Sequence, residues 1–332
     1  MRTPKFLHLD FLQIYSKYHE QIKHLFVTGD GVRIYAHIFK LTFKKTKNYL
    51  QNNSLSNIFL GFVNFDVLYL TNSFITNVPA FIADKTISLK ELLNAIKNNY
   101  SLIVIPDFLF ESMIVEDKNY TKIEVEQEMV LRIKGEWIEL EDYMLDFRKK
   151  YRNKLKSILK KTSNMDIRNL SAESLENFAL ELRVLFNQVA TSSKFQGPNF
   201  NTDALASFVR QGFMKVEGYF LDGKLVGFSS EIEQGERLYS YFVGFDKKLN
   251  KSIPIYGRIL LQNITSAISK KKTSLILGRT ANEYKSNFGA HPIRSYIYLK
   301  VQNRFLRAVL RPVYIRIGVK QWNQRNPFKI LK

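Results

Sequence analysis

The chain has 332 residues, 45% of them hydrophobic and 14% aromatic, which supplies a sizeable core and a length that suits two domains. With 24% charged residues it lacks the composition of a disordered chain, and with no cysteine it has no disulfide, no zinc–thiolate site and no cysteine nucleophile. A net charge of +20 favours anionic partners: phosphorylated cofactors, acidic carrier proteins, nucleic acid or an anionic membrane surface.

The opening residues, Met1 to Phe6, lack the continuous apolar core of a signal peptide, and no apolar stretch reaches the ~18–20 residues of a membrane span. A cytoplasmic location is the expectation. Leu25–Thr28 and Val32–Phe39 are β-rich runs joined through Gly29-Asp30-Gly31, a hairpin signal because Asp-Gly accepts the left-handed backbone of tight turns. Leu102–Pro106 has the length of a buried strand. Val125–Ile133 reads as another strand. Trp137 and a long amphipathic helix from Leu140 to Lys161 follow, with Tyr143, Phe147, Tyr151, Leu155 and Ile158 on one stripe. From Arg148 to Lys161 this helix carries eight cations and no acid. A solvated face is one reading of it, and contact with phosphates or RNA is the other.

In the second half, 172–189 and 202–211 read as helices. Val216–Leu221, Asp222-Gly223 and Lys224–Ile232 repeat the hairpin signal, which suggests an internal duplication. Arg237–Asp246 is a strand, 247–253 a basic loop, and Pro254 opens a helix through about Ser269, since proline is tolerated in a first turn. Ser274–Leu277 is a short aliphatic strand. Strand, helix and strand make a βαβ unit with a crevice at the strands' carboxyl ends. At that edge lies Gly278-Arg279-Thr280-Ala281-Asn282-Glu283-Tyr284-Lys285-Ser286-Asn287-Phe288-Gly289-Ala290.

This strand followed by G-R-T-A-x-E-x-K-x-x-x-G-A resembles the end of the catalytic domain in GNAT-superfamily acyltransferases. The closest branch is the Fem-type, peptidoglycan-biosynthesis-like one, which carries two such domains in tandem. The resemblance implies an α/β fold of two GNAT-like domains, with mixed sheets flanked by helices. It divides the chain into a degenerate domain over 1–136, a connecting helix over 137–163, a catalytic domain over 164–310 and a basic tail over 311–332. It also implies an enzyme that moves an acyl group from a thioester, acyl-CoA or an acyl-carrier protein, to an amine or hydroxyl by direct attack. An aminoacyl-tRNA-dependent transfer to a cell-wall precursor is the first alternative, and a non-catalytic binding module of the same fold is the second. tRNA is a partner only under the first alternative, and no stable DNA partner is expected.

The residues offer candidates for each role. The helix start at Pro254, Ile255, Tyr256, Gly257 and Arg258 presents free amides and a partial positive charge, suited to a pyrophosphate, with Lys251 adding charge. The resemblance places the pantetheine and pyrophosphate there and beside Val243. Of the superfamily's Q/R-x-x-G-x-G/A run only Gly257 has a counterpart, which keeps an acyl-carrier protein or an aminoacyl donor open beside acyl-CoA. Glu283, at the strand edge, and Glu231, on the hairpin, are candidate general bases, the latter competing with a solvated strand face. Tyr241 is a candidate proton donor to the leaving thiolate, with core packing as its other reading. Arg279 and Lys285 fit anion contacts, or a surface ion pair with Glu283. The five histidines have no metal-ligand spacing, and no metal is expected. Residues 300–332 hold nine Lys/Arg and no acid, with interleaved aromatics. Such a tail is either a peripheral membrane anchor or a segment packed back on the body.

Overall fold

The computed structural model describes residues 4–29, 31–42, 64–75, 77–83, 88–96, 100–106, 119–190, 198–314 and 321–329. It forms two compact units, each drawing on both halves of the sequence. The first comprises Met1–Glu126, Lys194–Phe200 and Arg294–Lys320; the second comprises Gln127–Ser193, Asn201–Ile293 and Gln321–Lys332.

In the first unit, helix α1 (Leu9–Tyr18) precedes strands β1 (Lys23–Gly29) and β2 (Val32–Thr42). These pair antiparallel from Lys23↔Ile38 to Gly29↔Val32, as the hairpin signal predicts, although Asp30 itself lies outside the described residues. β2 continues onto β3 (Asn64–Leu70) and also takes β4 (Phe81–Ala83); β3 runs parallel to β5 (Leu102–Pro106). Alternation along the strands gives the sheet two apolar faces. Ile34, Leu68, Leu70, Ile103 and Ile105 pack with Leu89, Leu92 and Ile96 of α2 (Leu89–Ile96). Phe65, Val67, Leu102 and Val104 pack on the other face with Leu310.

The second unit contains the predicted βαβ element. Strands β6 (Thr121–Arg132, from Gln127 on) and β7 (Asp166–Asn169) lie at the two ends of its sheet. Between them run β8 (Lys215–Leu221), β9 (Lys224–Gln234), β10 (Arg237–Phe245) and β11 (Ser274–Ile276). Asp222 and Gly223 both have positive φ, 48° and 76°, which makes the β8–β9 turn match the strands' right-handed twist. β10 and β11 are parallel, connected through α8 (Ile255–Ser269). The remaining helices are α3 (Leu140–Leu145), α4 (Lys149–Lys161), α5 (Ala172–Asn177), α6 (Ala179–Ala190), α7 (Ala204–Arg210) and α9 (Asn282–Ser286). Strand β12 (His291–Val301) enters the first unit at Arg294 and pairs there with β5; α10 (Arg304–Tyr314) follows it.

One sequence expectation is corrected here. The helix expected over Leu140–Lys161 is broken at Asp146–Arg148. The Asp146 carboxylate accepts from Lys134 Nζ at 2.7 Å and Trp137 Nε1 at 2.9 Å. Its carbonyl accepts from the amide of Lys329 at 2.8 Å, while the Arg148 amide donates to Pro327 at 2.9 Å. A short bridge with the chain's end thus replaces helical bonds. Over its described end, residues 321–329, the tail takes the packed-back reading: Phe328 stacks on Trp137 and meets Phe147 edge-on with ring centroids 4.7 Å apart. A Cβ on Gly289 would run into the Phe328 ring, and φ there is +80°, so this motif glycine makes room for the returning chain.

Candidate active site

The sheet of the second unit opens at one place. β10 pairs with β11 only from Arg237↔Ser274 to Tyr239↔Ile276, yet β10 runs on to Phe245. The β9–β10 register also shifts between Ser240 and Val243, and the Phe242 amide turns to Ser230 Oγ at 3.1 Å. Beside this opening the Tyr241 hydroxyl donates to Glu128 Oε1 at 3.0 Å. Glu128 comes from β6 and is 2% exposed, and the Tyr239 ring stacks on Tyr241 with centroids 5.7 Å apart.

The loop after β11 completes the cluster. Gly278, Thr280 and Ala281 have φ of 69°, 75° and 52°. For Thr and Ala that left-handed backbone costs on the order of 1–3 kcal/mol each and needs support from outside the loop. Lys285 supplies it. Its buried ammonium donates to the carbonyls of Leu277 at 2.6 Å, Gly278 at 3.2 Å and Arg279 at 3.1 Å. Nε of Arg279 and Oδ1 of Asn282 are buried and, among the described residues, have no hydrogen-bond partner. Buried polar atoms of this kind are costly unless water or another polar group satisfies them.

The other sequence candidates fall elsewhere. Lys285, expected to contact an anion, is consumed by three carbonyls and holds the loop instead. Glu283 is 45% exposed and pairs with Arg325 rather than with Arg279 or Lys285. Glu231 is not on a solvated face. It lies beneath α8, accepting from Ser266 Oγ at 2.7 Å and Lys270 Nζ at 3.0 Å, and burial raises its pKa. Lys270 also pairs with Glu233 at 2.9 Å.

The expected phosphate cradle at the start of α8 is largely occupied by the protein. Asn250 Oδ1 accepts from the Tyr256 amide at 2.9 Å, and the amides of Ile255 and Arg258 bond to Ile253 and Pro254. Ile255 is fully buried, and Val243 packs against its cluster. A Cβ on Gly257 would come within 2.8 Å of the Tyr284 hydroxyl and 2.9 Å of Ile158, so this glycine serves helix packing. Tyr256 stacks between Phe245 and Tyr284, at 5.2 and 5.5 Å. Arg258 is half-buried near Glu217 and Tyr219, and desolvation pulls its pKa down. Of the candidate residues here only Lys251, in the preceding loop, is exposed at the surface. The residue that sequence reasoning missed is Glu128. In Val125-Glu126-Gln127-Glu128-Met129 it resembles any acid on a solvated strand face.

Residues 146–286 match the acetyltransferase (GNAT) domain family. They form a GNAT domain. The domain holds β10, α8, β11 and the 278–286 loop, together with Tyr241, Arg279 and Asn282. No curated protein is similar enough in sequence to count as a relative. Among solved structures the chain is similar to L-PGS from Bacillus licheniformis, at 12% identity over 90% of each chain with a TM-score of 0.56. It is similar to FemX, at 11% identity over 91% of this chain and 93% of that one, TM-score 0.53. It is also similar to the C-terminal domain of a putative lysylphosphatidylglycerol synthetase from Agrobacterium fabrum, at 11% identity over 89% and 87%, TM-score 0.52. Identities this low establish a shared fold. Among the described residues no group of three His, Asp or Glu is placed to hold a metal.

Proposed function

We propose that the GNAT domain transfers an acyl group from an activated donor to an amine or hydroxyl by direct attack, in the opening between β10 and β11. The acceptor's nitrogen or oxygen bonds to the donor carbonyl carbon as the bond to the leaving group breaks. The acceptor loses a proton and the leaving group gains one. Tyr241 is the proton donor to that leaving group, and Glu128 is the positioning residue that fixes its hydroxyl. The single observation that carries the reading is the Tyr241–Glu128 hydrogen bond beside the only stretch of β10 that has left its parallel partner. Arg279 and Asn282, with buried unpartnered atoms in the adjoining loop, would hold the donor's polar groups.

One observation favours a second reading of the donor. The Tyr256 amide, which a pyrophosphate would need, is already capped by Asn250. A donor whose phosphates lie elsewhere fits better than acyl-CoA, and α4, with cations from Lys149 to Lys161 and no acid, is a ready polyanion face. Under this reading the donor is an aminoacyl-tRNA. Incubating the protein with acyl-CoA, acylated carrier protein or charged tRNA, and following donor loss and product mass, separates the cases. Donor-specific acyl transfer that collapses in Tyr241→Phe supports the proposal. Transfer undiminished in that variant removes it.

A further inference from the structure

We propose that α10 is a docking surface for an anionic lipid bilayer. Three stripes divide this helix. At 100° per residue Leu306 and Leu310 share one direction, and both belong to the packing of the first unit, Leu310 at 2% exposure. Arg304, Arg307 and Arg311 share a second direction, and Phe305 and Ala308 a third. Arg304, Arg311 and Ala308 are exposed, and Phe305 is 76% exposed, among the most open large hydrophobics of the described chain. The helix is therefore already anchored by one apolar stripe and presents a second aromatic one beside a row of guanidinium groups.

Charge settles the kind of partner. Among the described residues no carboxylate pairs with Arg304 or Arg311, whereas surface arginines such as Arg183 and Arg210 have found Asp203 and Glu176. Nothing acidic occurs from residue 294 to the end of the chain. Arg307 spends one N–H on the Val301 carbonyl at 3.4 Å, which fixes the row at the start of the helix. A protein partner would need a pocket for the ring and acids at matching positions. A bilayer of anionic lipids supplies both at any orientation about its normal: phosphates for the arginines and, just below them, an acyl boundary for the phenyl ring. No described helix is long and apolar enough to cross a membrane, so the contact is peripheral.

The test is co-sedimentation of the full chain with vesicles of phosphatidylglycerol in phosphatidylcholine, against phosphatidylcholine alone. Binding should require the anionic lipid and weaken with salt. Arg304→Gln with Arg311→Gln should lower the partition coefficient about 30-fold, since each basic residue near such a surface contributes about a factor of five. Phe305→Ala should lower it about tenfold, and Phe305→Trp should add a fluorescence component that shifts to the blue on vesicles. These side chains are exposed, so circular dichroism should remain that of the wild type, and acyl transfer to a soluble acceptor should persist. Equal binding to neutral vesicles, wild-type binding by the double variant, or binding to an RNA oligomer in place of vesicles overturns the proposal.

Discussion

The hydroxyl of Tyr241 reaches Oε1 of Glu128 at 3.0 Å, across 113 positions of sequence. Tyr241 belongs to the strand that leaves its parallel neighbour, and Glu128 to the strand on the far side of that neighbour. The pair therefore exists only because β11 is three residues long and stops short of them. A longer β11 would fill the opening with backbone.

Tyr241→Phe should lower turnover by ~10²–10⁴-fold with little change in KM for the donor, the usual worth of a positioned proton donor. Glu128→Gln retains an acceptor oxygen and should cost about tenfold. Its pH profile should shift, which a merely structural residue would not cause. Steady-state kinetics of both variants beside Glu283→Gln and Glu231→Gln ranks the four groups. A dominant loss in Glu283→Gln would move the chemistry to the exposed carboxylate.

Lys285→Met should destabilise the second unit by about 3 kcal/mol, because three inward carbonyls lose their donor and two left-handed residues lose their support. Urea unfolding measures this. A variant of normal stability with weakened binding of an anionic donor would instead make Lys285 a ligand contact.

Phe328→Ala should cost about 2–3 kcal/mol, since the ring is partly buried among Trp137, Tyr143 and Phe147. Deleting 321–332 should cost more, because Trp322 Nε1 also donates to Gln127 Oε1 at 3.2 Å. Cooperative unfolding of the deletion variant at the wild-type midpoint would show that the segment only lies on the surface.

The first unit should be acid-labile. The His24 and His37 rings are bridged by the Tyr35 hydroxyl at 2.7 and 2.6 Å, and His19 donates from Nδ1 to the Tyr15 carbonyl. Burial lowers His19 and His24 to about 4 from 6.5. Depressed histidines bind protons more readily when unfolded. Their contribution is thus complete above pH 6.5 and is lost as pH falls from there to about 4, by on the order of 3 kcal/mol for His19. Denaturant midpoints between pH 7 and pH 4 should decline, and His19→Phe should flatten part of that slope. An unchanged slope in the variant would mean that acidic groups elsewhere govern it.

Sequence by itself determined what short range controls. Asp222-Gly223 can adopt two left-handed conformations, so the β8–β9 hairpin follows. The aliphatic run at 274–277, the proline before Ile255 and the helical period between them make the parallel βαβ unit, and with it the position of the crevice. Tyr143, Phe147, Leu155 and Ile158 form a core stripe wherever the chain bends between them.

Only tertiary structure decided which polar groups meet. Glu231 and Glu128 both sit in strands with alternating charge, and nothing local separates an acid under a helix from one beside an opening. Lys285 reads as a ligand for anions until the left-handed loop turns three carbonyls toward it. Asn250 caps the helix that a pyrophosphate was expected to cap, because it sits in a 3₁₀ turn, Leu249–Lys251, just before that helix. The helix break at Asp146 and the return of Phe328 depend on each other across the length of the second unit. Hydrogen bonds and ion pairs of this kind are set by distances of a few ångström between segments remote in sequence, and a residue type carries no record of its future neighbour.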